Sequence, residues 1–347
     1  MTTTPAPLSE DDALIAVRKK YAVALSPEIR AQIEADPHGA VARQYLPDAR
    51  ELVESPDELQ DPIGDHSHSP VAGIVHRYAD RVLLKPVHVC AVYCRFCFRR
   101  EQVGPGQEML DDEGMARAID YIRNAPKVWE VILTGGDPLV LSPRRLKAII
   151  AELSAIDHVK VIRIHTRVPI ANPSRVSDDL VAALDSPNAV YAVLHCNHAS
   201  ELTPAVAAVA QKFIRAGIPL LSQSTLLKGI NDSADALEAL YRRLTEMKIK
   251  PYYLHHPDKA AGTGHFRLPL KRGQEIMQAL WARLSGIARP AYILDIPGGA
   301  GKVLAHPCAI TPTAQDGVYH VRDPRGGMHA YRDEGMTEPL PLNDGSK

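Results

Sequence analysis

The chain runs to 347 residues, 45% hydrophobic and only 5% aromatic, enough for two ordinary domains or for one large α/β barrel. Its 40 Lys and Arg are matched by 41 Asp and Glu, a formal net charge of -1, which excludes the clustered basic face of a phosphate-backbone binder. No apolar run approaches the ~20 residues of a membrane span, and the opening MTTTPAPLSEDDALIAV lacks the basic-then-apolar order of a secretion leader.

The first eighty residues read as a helical preamble. Ser9 is placed to cap the amphipathic stretch Glu10 to Ala22, and Ser26-Pro27 puts proline at the first position of a second helix. The polar passage ESPDELQDPIGDHSHSPVAG follows. Its His66 and His68 hint at metal, but their Ser and Pro flanks make it read as a solvated linker. From Arg81 the pattern becomes regular. Apolar, β-branched runs predict strands at Val82–Val89, Trp129–Leu133, Val159–Ile164, Ala189–Leu194, Ile218–Leu221, Pro251–Leu254 and Ala291–Leu294. Between them, a period near 3.6 predicts helices at Glu113–Asn124, Pro143–Ala155, Asp178–Leu184, Pro204–Ala216, Ala234–Lys248 and Lys271–Leu284. Ser142, Ser177 and Ser233 stand where N-caps belong. Strands recur roughly every 30 residues, the length of a βαβ unit, so a parallel sheet curled into a full or partial barrel is expected. Near the C-terminus, VYHVRDP and MHAYRD alternate as a hairpin or cap would.

The chemistry-bearing residues collect where strands end. They are Cys90–Cys97, TGGDP (Thr134–Pro138), HTR (His165–Arg167), HCNH (His195–His198), SQST (Ser222–Thr225), HHPD (His255–Asp258) and DIPGGAGK (Asp295–Lys302). In α/β barrels the active site lies at this C-terminal rim, and a purely structural protein has no reason to load it with His, Cys, Asp and Gly. Of the five cysteines, Cys90, Cys94 and Cys97 crowd one short segment, while Cys196 and Cys308 stand apart. That spacing is a poor disulfide framework and a good ligand set in a reducing cytoplasm. Three thiolates on a four-iron cube leave one iron open; a zinc knuckle completed by Cys196, Cys308 or His88 is the alternative.

CAVYCRFC resembles the signature of the radical S-adenosylmethionine (SAM) family. The resemblance implies a [4Fe-4S] cluster on Cys90, Cys94 and Cys97 whose open iron chelates SAM, within a partial (β/α)6 barrel. TGGDP is similar to the glycine-rich segment of that family that holds the methionine end of SAM, which points to Gly135, Gly136 and Asp137. The wider series HRYADRVLL, CAVYCRFCFRR, GGDPL, RIHTRVPI, NHASELT, SQSTLLKGIND, PYYLHHPDKAAGTGHF and DIPGGAGK resembles the lysine 2,3-aminomutase family, from about Asp61 to Lys302. The implied division is an N-terminal helical region and linker over 1–75, the barrel over 76–302 and a C-terminal extension over 303–347.

That family also uses pyridoxal 5′-phosphate (PLP). By the resemblance, Lys302 matches the lysine that carries PLP as a Schiff base, chemistry that needs an amine able to lose its proton. Arg81, with Tyr78 close by, matches an arginine that holds the PLP phosphate. Arg99 matches the arginine that grips the substrate carboxylate, a task suited to a guanidinium fork. Asp258 and Asp295 match the pair that binds the ε-ammonium of lysine, and His195 and Gln223 align with blocks that help hold SAM. The implied reaction moves the amino group of lysine between C2 and C3 in the cytoplasm. Its electron comes from a donor such as flavodoxin or ferredoxin, and no nucleic acid or membrane is involved.

Two departures leave alternatives open. Clostridial-type members carry extra C-terminal cysteines for a structural zinc, whereas only Cys308 follows Lys302 here; the assembly state, a homo-oligomer included, does not transfer. CRFCFRR resembles the branch that makes (R)-β-lysine for elongation factor P, while PGGAGK is closer to catabolic members. Product stereochemistry, pathway and an aminomutase acting on another amino acid stay open. So does an iron–sulfur electron-transfer protein in which Cys196 or Cys308 closes the cluster.

Overall fold

The computed structural model describes residues 9–104 and 109–333. The opening read above for a leader lies outside them in its first eight residues, as does the C-terminal extension beyond 333. Three helices lead the chain, α1 (Glu10–Lys20), α2 (Pro27–Ala35) and α3 (Ala40–Tyr45). Ser9 and Ser26 cap the first two as expected, accepting from the N–H groups of Asp12 and Ile29.

A single sheet then runs in chain order: β1 (Ile74–Tyr78), β2 (Arg81–Val87), β3 (Glu130–Gly135), β4 (Val161–Thr166), β5 (Ala189–His195), β6 (Leu220–Thr225), β7 (Ile249–His255), β8 (Ala291–Ile296) and β9 (Gly301–Leu304). Strands β2 to β8 are all parallel, and β1 and β9 pair antiparallel at the two ends. The crossovers carry α4 (Asp112–Arg123), α5 (Pro143–Ser154), α6 (Val168–Ala171) with α7 (Asp178–Ala182), α8 (Pro204–Arg215), α9 (Ala234–Glu246) and α10 (Leu270–Arg283). This is the expected α/β partial barrel, seven parallel strands joined by six crossovers. The edge strands β1 and β9 are additions to the strands expected from the sequence. Past β9, β10 (Ile310–Pro312), β11 (Val318–Arg322) and β12 (Met328–Arg332) form a separate antiparallel sheet, the expected terminal hairpin with one more strand.

Side chains of a strand alternate between its two faces. One set, including Leu84, Leu133, Ile164, Leu194, Leu254 and Tyr292, packs against Ile119, Ile149, Phe213, Leu240 and Ile276 of the covering helices. The alternate set lines the barrel lumen and is the chemically active one. Serines hold the helices in phase with the strands: Ser142, Ser177 and Ser233 each accept the N–H three residues on, a cap worth about 1 kcal/mol.

The N-terminal region does more than precede the barrel. Glu51, fully buried, accepts from Arg95 Nε at 2.9 Å and is also bonded by Arg95 Nη2 and Arg100 Nη2. Arg95 also donates to Ala22 O at 2.7 Å, and the N–H groups of Tyr93 and Arg95 reach Ala24 O and Gln44 O. The cysteine loop is therefore held from outside the barrel.

The passage read as a solvated linker is instead a strap, and that reading is corrected. Leu59 N–H donates to Lys259 O at 2.8 Å, Gly298 N–H donates to Pro62 O at 3.1 Å, and Ile63, Gly64 and Asp65 are buried. Gly64, at φ +68°, lies so close to Gly298 that an added Cβ would sit 2.6 Å from its carbonyl oxygen. His66 and His68 stay on its outer side, with His68 Nδ1 against Gly64 O at 2.8 Å.

Removing one partner of a fully buried ion pair strands the other charge. Glu51→Ala should therefore lower unfolding free energy by about 3–5 kcal/mol, read from the denaturant midpoint at unchanged m-value.

Candidate active site

The lumen-facing set carries Lys85 on β2, Thr134 on β3, Arg163 and His165 on β4, His195 on β5, Gln223 on β6, His255 on β7 and Asp295 on β8. They alternate with the core residues named above.

Beside them lies the cysteine loop. Cys90, Cys94 and Cys97 are free and half-buried in the loop after β2, and Cys94 packs against the Tyr45, Val92 and Ala171 cluster. Burial pushes all three thiols up, Cys94 to about 12. The nearby guanidinium of Arg167 opposes this at Cys94, as do the Arg99 N–H and the guanidinium groups of Arg99, Arg100 and Arg167 at Cys97. Poor free thiolates ringed by cations suit an anionic metal–thiolate group better than a reactive cysteine. Arg167 is fixed by Tyr45 Oη, Gln44 and Glu201, each at 2.7 Å. The other two cysteines are spent elsewhere. Cys196 lies in the core between sheet and helices, against His198 O and Glu201, and Cys308 is exposed beyond β9. Among the described residues no three His, Cys, Asp or Glu side chains gather tightly enough for a single metal ion.

The glycines of TGGDP meet a need of the protein's own backbone. An added Cβ on Gly136 would sit 2.2 Å from Val89 O, and one on Gly135, at φ +105°, would sit 2.8 Å from Val87 O. The N–H groups of Gly136 and Asp137 donate to those same carbonyls at 2.7 and 2.9 Å. The glycines thus let β3 dock against the stem of the cysteine loop. Asp137 is turned into the protein. It accepts from Leu139 N, Thr166 Oγ1, Arg167 N and Val168 N at 2.6–3.0 Å. Those four donors fill a carboxylate, so Asp137 ties β3 to β4 and has no acceptor left for a ligand.

Two charged groups meet in the lumen, bridged by Arg77, which stands 3.7 Å from Asp65 and 3.9 Å from Asp295. On the cationic side, Arg99 Nε donates to Asp65 of the strap at 2.8 Å, and Arg77 and Lys85 stand 3.7 and 4.0 Å from the same carboxylate. Burial raises the Asp65 pKa, but Arg99 above all, then Lys85 and Arg77, leave it below the usual range. Burial, then Arg99, lowers the Lys85 pKa against the pull of Asp65.

On the acidic side, Lys302 Nζ bonds Asp295, and His255 Nδ1 lies 3.4 Å from the same carboxylate. Burial opposes ionisation of Asp295, yet the His255 hydrogen bond and the Lys302 charge hold it at about 2. Asp258 behaves in the opposite way: burial and the charge of Asp295 raise it to about 7, against Lys302, Arg99 and Arg77.

Lys302 stands on a strand, not in a loop. Its N–H donates to Tyr78 Oη at 2.9 Å, joining β9 to β1 across the open seam of the barrel. Arg81 lies 3.9 Å over the Tyr78 ring and pairs with Asp80 at 2.6 Å.

His195 and Gln223 are register partners on β5 and β6. The Nε2 atoms of His195 and His165 are buried with no protein partner, and burial lowers both imidazole pKa values well below normal. An orphaned buried ring nitrogen of this kind fits a polar group of a ligand. Sequence reasoning missed Asp65, Arg77 and Lys85, and it placed His165 and His255 at the rim without a role. Lys85 left a signal, a lysine inside the buried run RVLLKPV, where charge is costly unless paired.

Comparison with known proteins adds the following. The model of the radical SAM superfamily matches residues 84–241. L-lysine 2,3-aminomutase of Clostridium subterminale is 37% identical over 342 residues, 98% of this chain and 81% of that protein. The enzyme of the same name from Methanococcus maripaludis is 38% identical, covering 84% and 67%, and that of Bacillus subtilis 34%, covering 93% and 68%.

The acid pair makes a pH prediction. Asp295 stays ionised at ordinary pH, while Asp258 takes up its proton as pH falls through about 7. Binding of 1,5-diaminopentane should weaken about tenfold from pH 8 to pH 6, and Asp258→Asn should flatten that dependence in calorimetric titrations.

Proposed function

The chain belongs to the lysine 2,3-aminomutase family of the radical SAM superfamily, and from that premise we propose that it interconverts L-lysine and β-lysine. The observation that carries this reading is the pair of opposed charge groups, Arg99 with Asp65 on one side and Asp258 with Asp295 on the other. A substrate with a carboxylate at one end and an ammonium at the other is held stretched between them, a fixed geometry that converts binding into orientation.

Cys90, Cys94 and Cys97 would hold a [4Fe-4S] cluster, and Lys302 would hold PLP, with Arg81 and Tyr78 at its phosphate. The donor sets fit these groups: three thiols without a fourth cysteine beside them, and a lysine amine held at the barrel mouth by the Asp295 carboxylate. When bound, the cluster and SAM supply one-electron chemistry and PLP supplies the π system that lets an amino group migrate.

The remaining work falls to the chain. Arg99 fixes the α-carboxylate, and Asp295 with Asp258 fixes the ε-ammonium. His195 Nε2 and Gln223 would help hold SAM. Gly135 and Gly136 contribute by bringing β3 against the cysteine loop. The buried networks of Glu51 and Arg167 keep that loop rigid and water out. A flavodoxin or ferredoxin would deliver the electron, in the cytoplasm where thiols stay reduced.

Anaerobic incubation with L-lysine, SAM, PLP and a reductant should give β-lysine, resolved by chiral chromatography, and Cys94→Ala should abolish it. Lys302→Ala should also lose the visible absorbance of protein-bound PLP. Conversion of glutamate, arginine or alanine in place of lysine would overturn the role given to Asp258 and Asp295.

A further inference from the structure

The cationic side of the lumen carries more charge than its own acid balances. Asp65 supplies one negative charge to three cations, Arg99, Arg77 and Lys85. Arg77 is shared with Asp295 at 3.9 Å and also donates to Ile63 O. Arg99 uses Nε on Asp65 and has Thr134 Oγ1 at 3.5 Å from Nη1.

Lys85 is the member with the longest pairing to Asp65. Its side chain is 7% exposed, and its ammonium stands 4.0 Å from Asp65, beyond hydrogen-bond reach. A buried ammonium has three donors to satisfy and is costly to hold unpaired. Packing fixes its stem, since a Cβ added to Gly135 would come within 2.9 Å of Lys85 Cβ. The neighbouring strand therefore aims the head group into the lumen beside Arg99. Leucine or methionine would fill the same space at lower cost, so the charge calls for an anion from outside the chain.

We propose that Lys85 and Arg99 together form a carboxylate subsite in which Lys85 is a second anchor for the α-carboxylate of the amino-acid substrate. This rests on the role given to Arg99 above. Asp65 is the shared counter-charge that holds the two cations side by side. One added carboxylate brings the local count to three cations facing two anions. The methionine moiety of SAM carries the same chemical group, so the test separates the two carboxylates.

The experiment is calorimetric titration of the anaerobically reconstituted holoprotein with L-lysine, L-lysinamide and SAM in turn. Wild-type protein should prefer lysine to lysinamide. Lys85→Met should weaken lysine binding roughly tenfold to a hundredfold, the worth of a hydrogen bond to a charged group. Its affinities for lysinamide and SAM should not change, and Lys85→Arg should restore most of the loss. Melting temperature and cluster absorbance check that the variant is folded; should Lys85→Met fail that check, Lys85→Gln carries the same comparison. A lysine preference that survives loss of the Lys85 charge overturns this inference alone, and a loss that falls on SAM instead overturns the substrate assignment. Wild-type protein that binds neither lysine nor its amide overturns the proposed function and this inference with it.

Discussion

The buried carboxylate of Glu51 is the contact on which the rest of the site depends. Arg95 lies between the second and third cysteines of the loop, and Arg100 lies just after the third. Both turn away from the lumen to meet this one acid. Two guanidinium groups on one carboxylate fill its hydrogen-bonding capacity and give each buried cation an anionic partner, without which burial of the charge is costly. The consequence is directional. With the arginines drawn outward and Tyr93 bonded to Arg100 O at 2.6 Å, the three thiols are left as the unpaired polar side chains of the loop. Binding chemistry at the barrel mouth is thus organised by a residue on the far side of it.

Inside the mouth the same logic works with opposite sign. The strap inserts one acid, Asp65, among cations of β1, β2 and the cysteine loop, while β8 and the loop after β7 place two acids beside Lys302. Each group is incomplete by itself. Surplus cation in one group and acid in the other describe, in charge alone, a site suited to a zwitterionic molecule.

Much of this was legible in the sequence. The seven parallel strands and their helices follow from periodicity strong enough to survive any context, and the rim placement of His165, His195, His255, Asp258, Asp295 and Lys302 follows from where those strands stop. What was not legible depends on contacts between distant segments. β1 and β9 are short, and Gly301 and Lys302 carry no strand propensity of their own; pairing at the sheet ends makes them strands. The strap is polar because it crosses a charged opening, and composition alone cannot tell that from solvent. TGGDP matched a ligand-binding pattern, yet its glycines meet backbone and its aspartate meets four protein donors. A motif specifies a shape, and here that shape is used first by the protein itself.

The hydrogen bond from Lys302 to Tyr78 spans 224 positions of the chain, and the strap reaches across a comparable interval to Gly298. Closing such long loops is slow, and it follows the local pairings that precede it. During synthesis the cysteine loop and its N-terminal support can associate while the amine-bearing strand is still unmade. The thiols can therefore be held in place before the lysine exists, and the lysine is the last of these groups to arrive.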